Sequence, residues 1–302
     1  MFFSIKGGVG RSTALAASAW SLARQGKRVL VLDGDLESPG LSSALLPADR
    51  QPKYGITDWL VEDLVGNGDA LLNDLYATSN WPTAGQIYLV PAHGHEPGEY
   101  VAKLGRVWMP KVLAQGGVET WSRRLNRLIQ QLETQIQPDV ILIDSRAGID
   151  EVAAACVTDI GAHTILMFAI QGQQTWTGYR VLFSHWQQRG VIATLRERLQ
   201  LVAGLVPDDD RKQTYLDALC ADAYELFVTS YDEAGPGEIS DWSFEQDDCN
   251  APHAPLPIKW NRGWFGLLGL QQRMEQVDEN EVNGVYGELL DFLNRATAKN
   301  DT

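Results

Sequence analysis

The stretch that most narrows what this chain can fold into is Lys6-Gly7-Gly8-Val9-Gly10-Arg11-Ser12-Thr13, near the amino end. A short apolar run, Met1 to Ile5, leads into it, and a small-residue helical run, Ala14 to Gln25, follows. Strand, glycine loop and helix in that order form the context that a phosphate-binding loop requires. Side chains in place of the glycines would keep the backbone amides from closing around phosphate oxygens. A helix opening at Ser12 adds unpaired N–H groups and the positive end of its dipole. Against the pattern G-x-x-x-x-G-K-[ST], Arg11 fills the lysine position and Ser12 that of the Mg²⁺-binding hydroxyl. Ser4 or Ile5 stands at the first glycine. The competing reading is a glycine-rich hairpin turn without a ligand.

Downstream, Val29-Leu30-Val31-Leu32-Asp33 and Asp139-Val140-Ile141-Leu142-Ile143-Asp144 are near-continuous apolar runs ending in an acid. Such runs suit parallel strands covered on both faces. Further strands are expected at Ile87–Pro91, Thr164–Ile170 and Leu199–Val206, and a last short one at Leu256-Pro257-Ile258. Helices are expected at 56–64, 69–75, 118–136, 175–189, 212–227 and 282–298. Pro138 stops the third of these, which carries Trp121, Leu125, Leu128, Ile129, Leu132 and Ile136 on one face. The alternation predicts an α/β fold: a doubly wound, mostly parallel sheet flanked by helices in three layers. Residues 1–302 read as a single domain, with 1–206 as its core and 207–302 as a C-terminal part of weaker signal. With the first strand starting at Met1, no leader or upstream domain is expected.

Composition limits the function. The balance of 39 acids against 25 bases gives a net charge of −14, which disfavours nonspecific DNA and anionic membranes as partners. At 44% apolar and 21% charged, the chain reads as an ordinary soluble globular protein. No apolar run approaches the roughly 20 residues needed to span a bilayer. Cys156, Cys220 and Cys249 fit no disulfide or zinc spacing, so they read as reduced thiols in a cytoplasm.

In a sheet of this kind ligands sit at the carboxyl ends of parallel strands. The loop from Lys6, the pair Asp33 and Asp35, and Asp144 all fall there. A phosphate cradle beside carboxylates is what a magnesium nucleotide needs, because the metal takes oxygen ligands and bridges phosphates. The residues also carry a resemblance. Lys6-Gly7-Gly8-Val9-Gly10 resembles the deviant Walker A loop of the ParA/MinD family of P-loop ATPases. Asp33-Gly34-Asp35 resembles its D-x-D segment, and Asp144-Ser145-Arg146-Ala147-Gly148-Ile149 the D-S-P-A-G-I segment of MinD-like members. Val90-Pro91-Ala92 resembles the family's strand ending in a proline before a mobile loop.

The resemblance implies ATP and Mg²⁺ as ligands and a slow, partner-regulated ATPase acting as a nucleotide-dependent homodimer. Backbone amides of Gly7, Gly8, Val9, Gly10, Arg11, Ser12 and Thr13 would hold the phosphates. Ser12, Asp33 and Asp144 would serve the metal. Asp35 would align the attacking water, Arg11 neutralise phosphate charge, and Lys6 reach the partner subunit's nucleotide. Pro207 and Asp208 match positions that touch adenine in the family. Arg11 departs from the pattern: an arginine keeps the charge but changes the geometry, which puts fast hydrolysis in question. A variant branch carrying K-G-G-V-G-R with D-x-D-L-E-x-P-G-L is similar, through Leu36, Glu37, Pro39, Gly40 and Leu41. Arg146, at the family's proline, reads either as a surface residue or as a phosphate or partner contact.

Other features have plainer readings. His93 and His95, with Glu96 and Glu99, lie among Pro91, Gly94, Pro97 and Gly98 and read as a switch-like loop rather than a metal site. Trp121, Trp176 and Trp186 read as core; Trp260, Trp264 and Phe265 read as core or as an exposed partner patch. The last helix lacks the basic face of a membrane anchor, having only Arg295 and Lys299. Two other functions stay open. One is nucleotide binding without turnover. The other is DNA partitioning, if Arg123, Arg124 and Arg127 share one face. Kinase-like transfer is disfavoured by the lack of a terminal tyrosine cluster.

Overall fold

A computed structural model describes residues 1–149, 157–232, 242–264, 266–267 and 269–298. The apolar runs become strands β1 (Phe2–Ser4), β2 (Arg28–Gly34), β3 (Ala77–Thr78), β4 (Gln86–Val90), β5 (Lys111–Val112), β6 (Val118–Glu119), β7 (Val140–Ser145), β8 (Ile165–Ala169), β9 (Leu199–Val206) and β10 (Leu256–Lys259). The longer helices are α1 (Arg11–Arg24), α2 (Ile56–Asp63), α3 (Tyr100–Val107), α4 (Trp121–Ile136), α5 (Gln173–Gln188), α6 (Lys212–Phe227) and α7 (Glu279–Ala298).

Eight strands form one sheet in the order β10-β9-β8-β1-β7-β2-β4-β3. All neighbours are parallel except β3 with β4. Successive side chains on a strand point to opposite faces, so a fully apolar strand feeds two cores. Phe3, Leu30, Leu32 and Ile143 enter one core, beneath α2, α4, α5 and α6. Phe2, Val29, Val31 and Leu142 enter the other, beneath α1 and α7. This is the doubly wound, three-layer α/β fold that the sequence predicts. β10 occupies a sheet edge, where the missing N–H of Pro257 leaves no partner strand unserved. Val285, Leu289, Leu290 and Leu293 of α7 are buried, as the core reading of that helix expects.

The local differences have physical causes. The helix expected from Val118 begins at Trp121, because the Thr120 side chain accepts the Arg123 N–H and caps it there. Val118 and Glu119 instead pair with Lys111 and Val112 across a turn through Gly116 and Gly117. The helix expected at 69–75 is a tighter 3₁₀ run, Gly68–Asp74. The α3 helix was not foreseen, since only its Val107 is buried and it carries no long apolar stripe. Trp176 and Trp186 are buried, and Trp121 packs edge-on against Trp108.

One side of the molecule is tied by a buried ion cluster. Asp63 accepts from Lys111 at 2.8 Å, Arg124 at 2.8 Å and Arg127 at 2.9 Å, and the Arg124 side chain is fully buried. Burial alone would push the Asp63 carboxyl up, but the bonds from Arg127, Lys111 and Arg124 hold it below its ordinary value. Removing one partner of such a cluster leaves buried charge uncompensated. Asp63→Ala is therefore expected to lower unfolding stability by about 3–5 kcal/mol, read from urea denaturation.

Candidate nucleotide site

The parallel pairing of β1, β7 and β2 brings three chain segments together at one end of the sheet. Phe2 pairs with Asp144, and Asp33 with the same Asp144, so the glycine loop and both acids emerge side by side. The loop runs from the end of β1 into α1, whose N-cap is Gly10 at φ 85°. Gly8 also has a positive φ, 75°, a backbone state that favours glycine. A Cβ at Gly7 or Gly8 would meet no atom within 4 Å and would point into open space. That space is a cavity of about 540 Å³, lined by the whole loop from Lys6 to Thr13 together with Asp35 and Arg146. Its size suits a small organic ligand.

The loop is seated from below by a contact that sequence reading missed. Val9 is buried, and a Cβ on Gly204 in β9 would lie 2.4 Å from the Val9 carbonyl oxygen. The visible signal was a lone glycine inside an apolar strand, which marks a close backbone approach. Gly204→Ala is expected to displace the loop. Nucleotide affinity in calorimetry should fall about tenfold or more, the size of effect that small misplacements cause.

Arg11 has its side chain 7% exposed and turned toward the acids. Its Nε donates to Asp144 Oδ1, Nη1 to Ser4 Oγ at 2.9 Å, and Nη2 to Asp35 Oδ2 at 2.8 Å. The Ser12 hydroxyl donates to Asp144 Oδ2 at 2.5 Å, and the Thr13 hydroxyl to the Gly10 carbonyl at 2.9 Å. Asp33 Oδ2 accepts from the Gly40 and Leu41 amides at 3.3 and 3.2 Å. Its Oδ1 is buried without a partner. Lys6 is exposed at the rim of the cavity.

The electrostatics follow from three acids around one base. Burial works against charge on Arg11, but Asp144 and Asp35 outweigh it and hold the guanidinium above its ordinary value. Burial raises the Asp144 carboxyl despite Arg11 and Ser12. Asp33 is pushed up to about 8, by burial first and then by Asp144. A buried acid with an orphaned oxygen beside two others fits a cation with oxygen ligands. Among the described residues no group of three or more His, Cys, Asp or Glu side chains could hold a metal ion. Such an ion would therefore draw on Ser12, ligand phosphates and water as well, the usual manner of Mg²⁺.

Other expected residues fall in different places. Arg146 lines the cavity and pairs with Glu37 at 2.7 Å. The cavity lining includes Leu205, Lys259, Trp260 and Asn261 but not Pro207 or Asp208. Trp264 is buried, 5.5 Å from Tyr286 and donating to Glu281, so of the two described residues of the expected patch Trp260 alone is exposed. Phe265 lies outside the described residues, as do Cys156 and Lys299. His93 packs edge-on against Tyr100, and the backbone of 91–95 bonds to residues 52–57.

With this geometry in hand, comparison with known proteins becomes specific. The model of the CobQ/CobB/MinD/ParA nucleotide binding domain matches residues 1–252. The chain belongs to that family. No curated protein matches it by sequence. Among solved structures it is similar to a ParA family ATPase from Chlorobium tepidum TLS, with a TM-score of 0.60 and 15% identity over 96% of each chain. It is also similar to a chain of the MinC:MinD cell division protein complex from Aquifex aeolicus, with a TM-score of 0.59 and 17% identity. That match covers 98% of this chain and 93% of the other. The septum site-determining protein MinD complexed with Mg-ADP from Pyrococcus horikoshii OT3 gives a TM-score of 0.55 and 18% identity, over 97% and 94%. At such identities the MinD and ParA structures share this chain's fold, and its nucleotide-binding character rests on the family.

Asp33 makes the site sensitive to pH. The folded chain keeps the Asp33 proton up to about pH 8, whereas an unfolded chain releases it near 3.8. The folded state thus binds more protons across that window, and this contribution to stability is lost as pH rises through it. In metal-free buffer, melting temperature should decline over this range more steeply for the wild type than for Asp33→Asn.

Proposed function

We propose that the chain binds ATP with Mg²⁺ in this cavity and acts as a slow ATPase, a dimeric switch whose nucleotide state controls its grip on another protein. The observation that carries the reading is the glycine cradle opening beside Asp33, Asp35 and Asp144. In it the amides of Gly7 to Thr13 bind the phosphates. Ser12, with Asp33 and Asp144, would hold the metal. Mg²⁺, when bound, would offset the negative charge of the phosphates. Asp35 lines the cavity and orients a water for in-line attack, where positioning and electrostatics supply most of the acceleration. Exposed Lys6 is placed to reach a second copy.

The single-domain reading of 1–302 is supported by β10, which extends the main sheet, and by the core shared between α1 and α7. A protein partner is preferred over DNA. The net charge of −14 opposes phosphate backbones, and Arg124 and Arg127 are bound to Asp63 rather than displayed with Arg123. Among the described residues no helix is long and apolar enough to cross a membrane, and we place the protein in the cytoplasm.

A second reading, nucleotide binding without turnover, is favoured by one observation. The Asp35 oxygen that would face water is paired with Arg11. Calorimetry with ATP, with and without Mg²⁺, tests binding; magnesium-dependent uptake is expected. Phosphate release should fall about 100-fold or more in Asp35→Ala while ATP affinity changes little. Equal release by both proteins would favour the binding-only reading.

A further inference from the structure

The carboxylate oxygens beside the glycine loop are nearly all in use. Asp144 gives Oδ1 to Arg11 and Oδ2 to Ser12. Asp35 gives Oδ2 to Arg11 and Oδ1 to the Ser38 amide. Asp33 gives Oδ2 to two amides, and only its Oδ1 has no partner. A divalent cation that needs several oxygens could not gain Asp144 Oδ1 or Asp35 Oδ2 while the guanidinium stays where it is. The side chain is well fixed: three of its nitrogens are bonded, to Ser4, Asp35 and Asp144, and it is nearly buried. A lysine, with one compact ammonium, does not present the flat fork that spans two acids from different strands.

Taking the cavity as the metal–nucleotide site proposed above, we propose that Arg11 is a built-in counter-cation which the incoming metal must displace from Asp35 and Asp144. Loading is then an exchange. Asp144, released by the guanidinium, would be open to the metal, and Arg11 would gain the triphosphate as a new anionic partner in place of Asp35 and Asp144. Either ligand alone leaves one side of the exchange unbalanced: metal alone strands the guanidinium, and nucleotide alone strands the acids. Mg²⁺ and nucleotide therefore bind with positive coupling, and each strengthens the other by the same factor. The exchange also frees Asp35, so the carboxylate that faces water becomes available only when metal and nucleotide are both present.

The experiment measures Mn²⁺ binding in the absence of nucleotide, from the electron paramagnetic resonance signal of free Mn²⁺. The wild type and Arg11→Gln, which keeps the bulk but loses the charge, are compared. Arg11→Gln is expected to bind Mn²⁺ about tenfold more tightly or better, a shift typical of coupled sites. Mn²⁺ binding no tighter than wild type would overturn the proposal. Should Arg11→Gln not fold, Ser4→Ala removes one acceptor of the guanidinium without altering charge. It is expected to tighten Mn²⁺ binding by about threefold, below the coupling expected from removing the charge. An unchanged affinity in folded Ser4→Ala would equally overturn the exchange. ATP uptake is measured separately by calorimetry. A wild type that takes no ATP, alongside a variant that gains Mn²⁺, would refute the nucleotide reading and leave the competition between Arg11 and the metal standing. A wild type that takes ATP, alongside a variant unchanged toward Mn²⁺, would do the reverse.

Discussion

The structure depends on the parallel register of β1, β7 and β2. Three strands that are remote in the chain end at one level, and each delivers polar groups at its carboxyl end while its apolar body fills two cores. A slip of one residue would turn Asp33 or Asp144 away from the cluster around Arg11, because side chains alternate between faces. Burial of residues such as Phe2, Phe3 and Leu32 stabilises by about 1.5–3 kcal/mol each, and so pins the register on which the site relies.

The site set on this frame is electrostatically unbalanced. Burying a charge is costly unless it is paired, and here three acids share one guanidinium. The imbalance falls on Asp33, whose carboxyl is pushed far from its ordinary value. By contrast, Asp63 has three basic partners and is pushed the other way. Arg11 and Asp35 of the first cluster line a cavity, whereas Asp63 is buried among its bases. Perturbed acids beside clefts are where function concentrates, and satisfied ones within a fold mostly hold elements together.

Much of this was legible in the chain. The loop, the two acid-ended strands and their order gave the layered fold and brought Asp33, Asp35, Asp144 and Ser12 to one place, because apolar runs and glycine spacing are local signals. What could not be read depends on contacts between distant segments. Nothing around Arg11 says that its fork would close on acids 24 and 133 positions away. The seat that Gly204 offers Val9, the burial of Trp264 against Tyr286, and the capture of Arg124 by Asp63 arise in the same way. The Thr120 cap moves the start of α4 three residues past Val118, because a capping bond overrides apolar periodicity at a helix end.

The cavity is lined by residues far apart in the chain: the glycine loop together with Trp260, Asn261 and Tyr286. The loop is made well before the residues that complete the cavity with it. A nascent chain therefore carries its phosphate cradle half-built. The site is complete only once both segments have folded against the same sheet, so its formation reports long-range folding and not the loop alone.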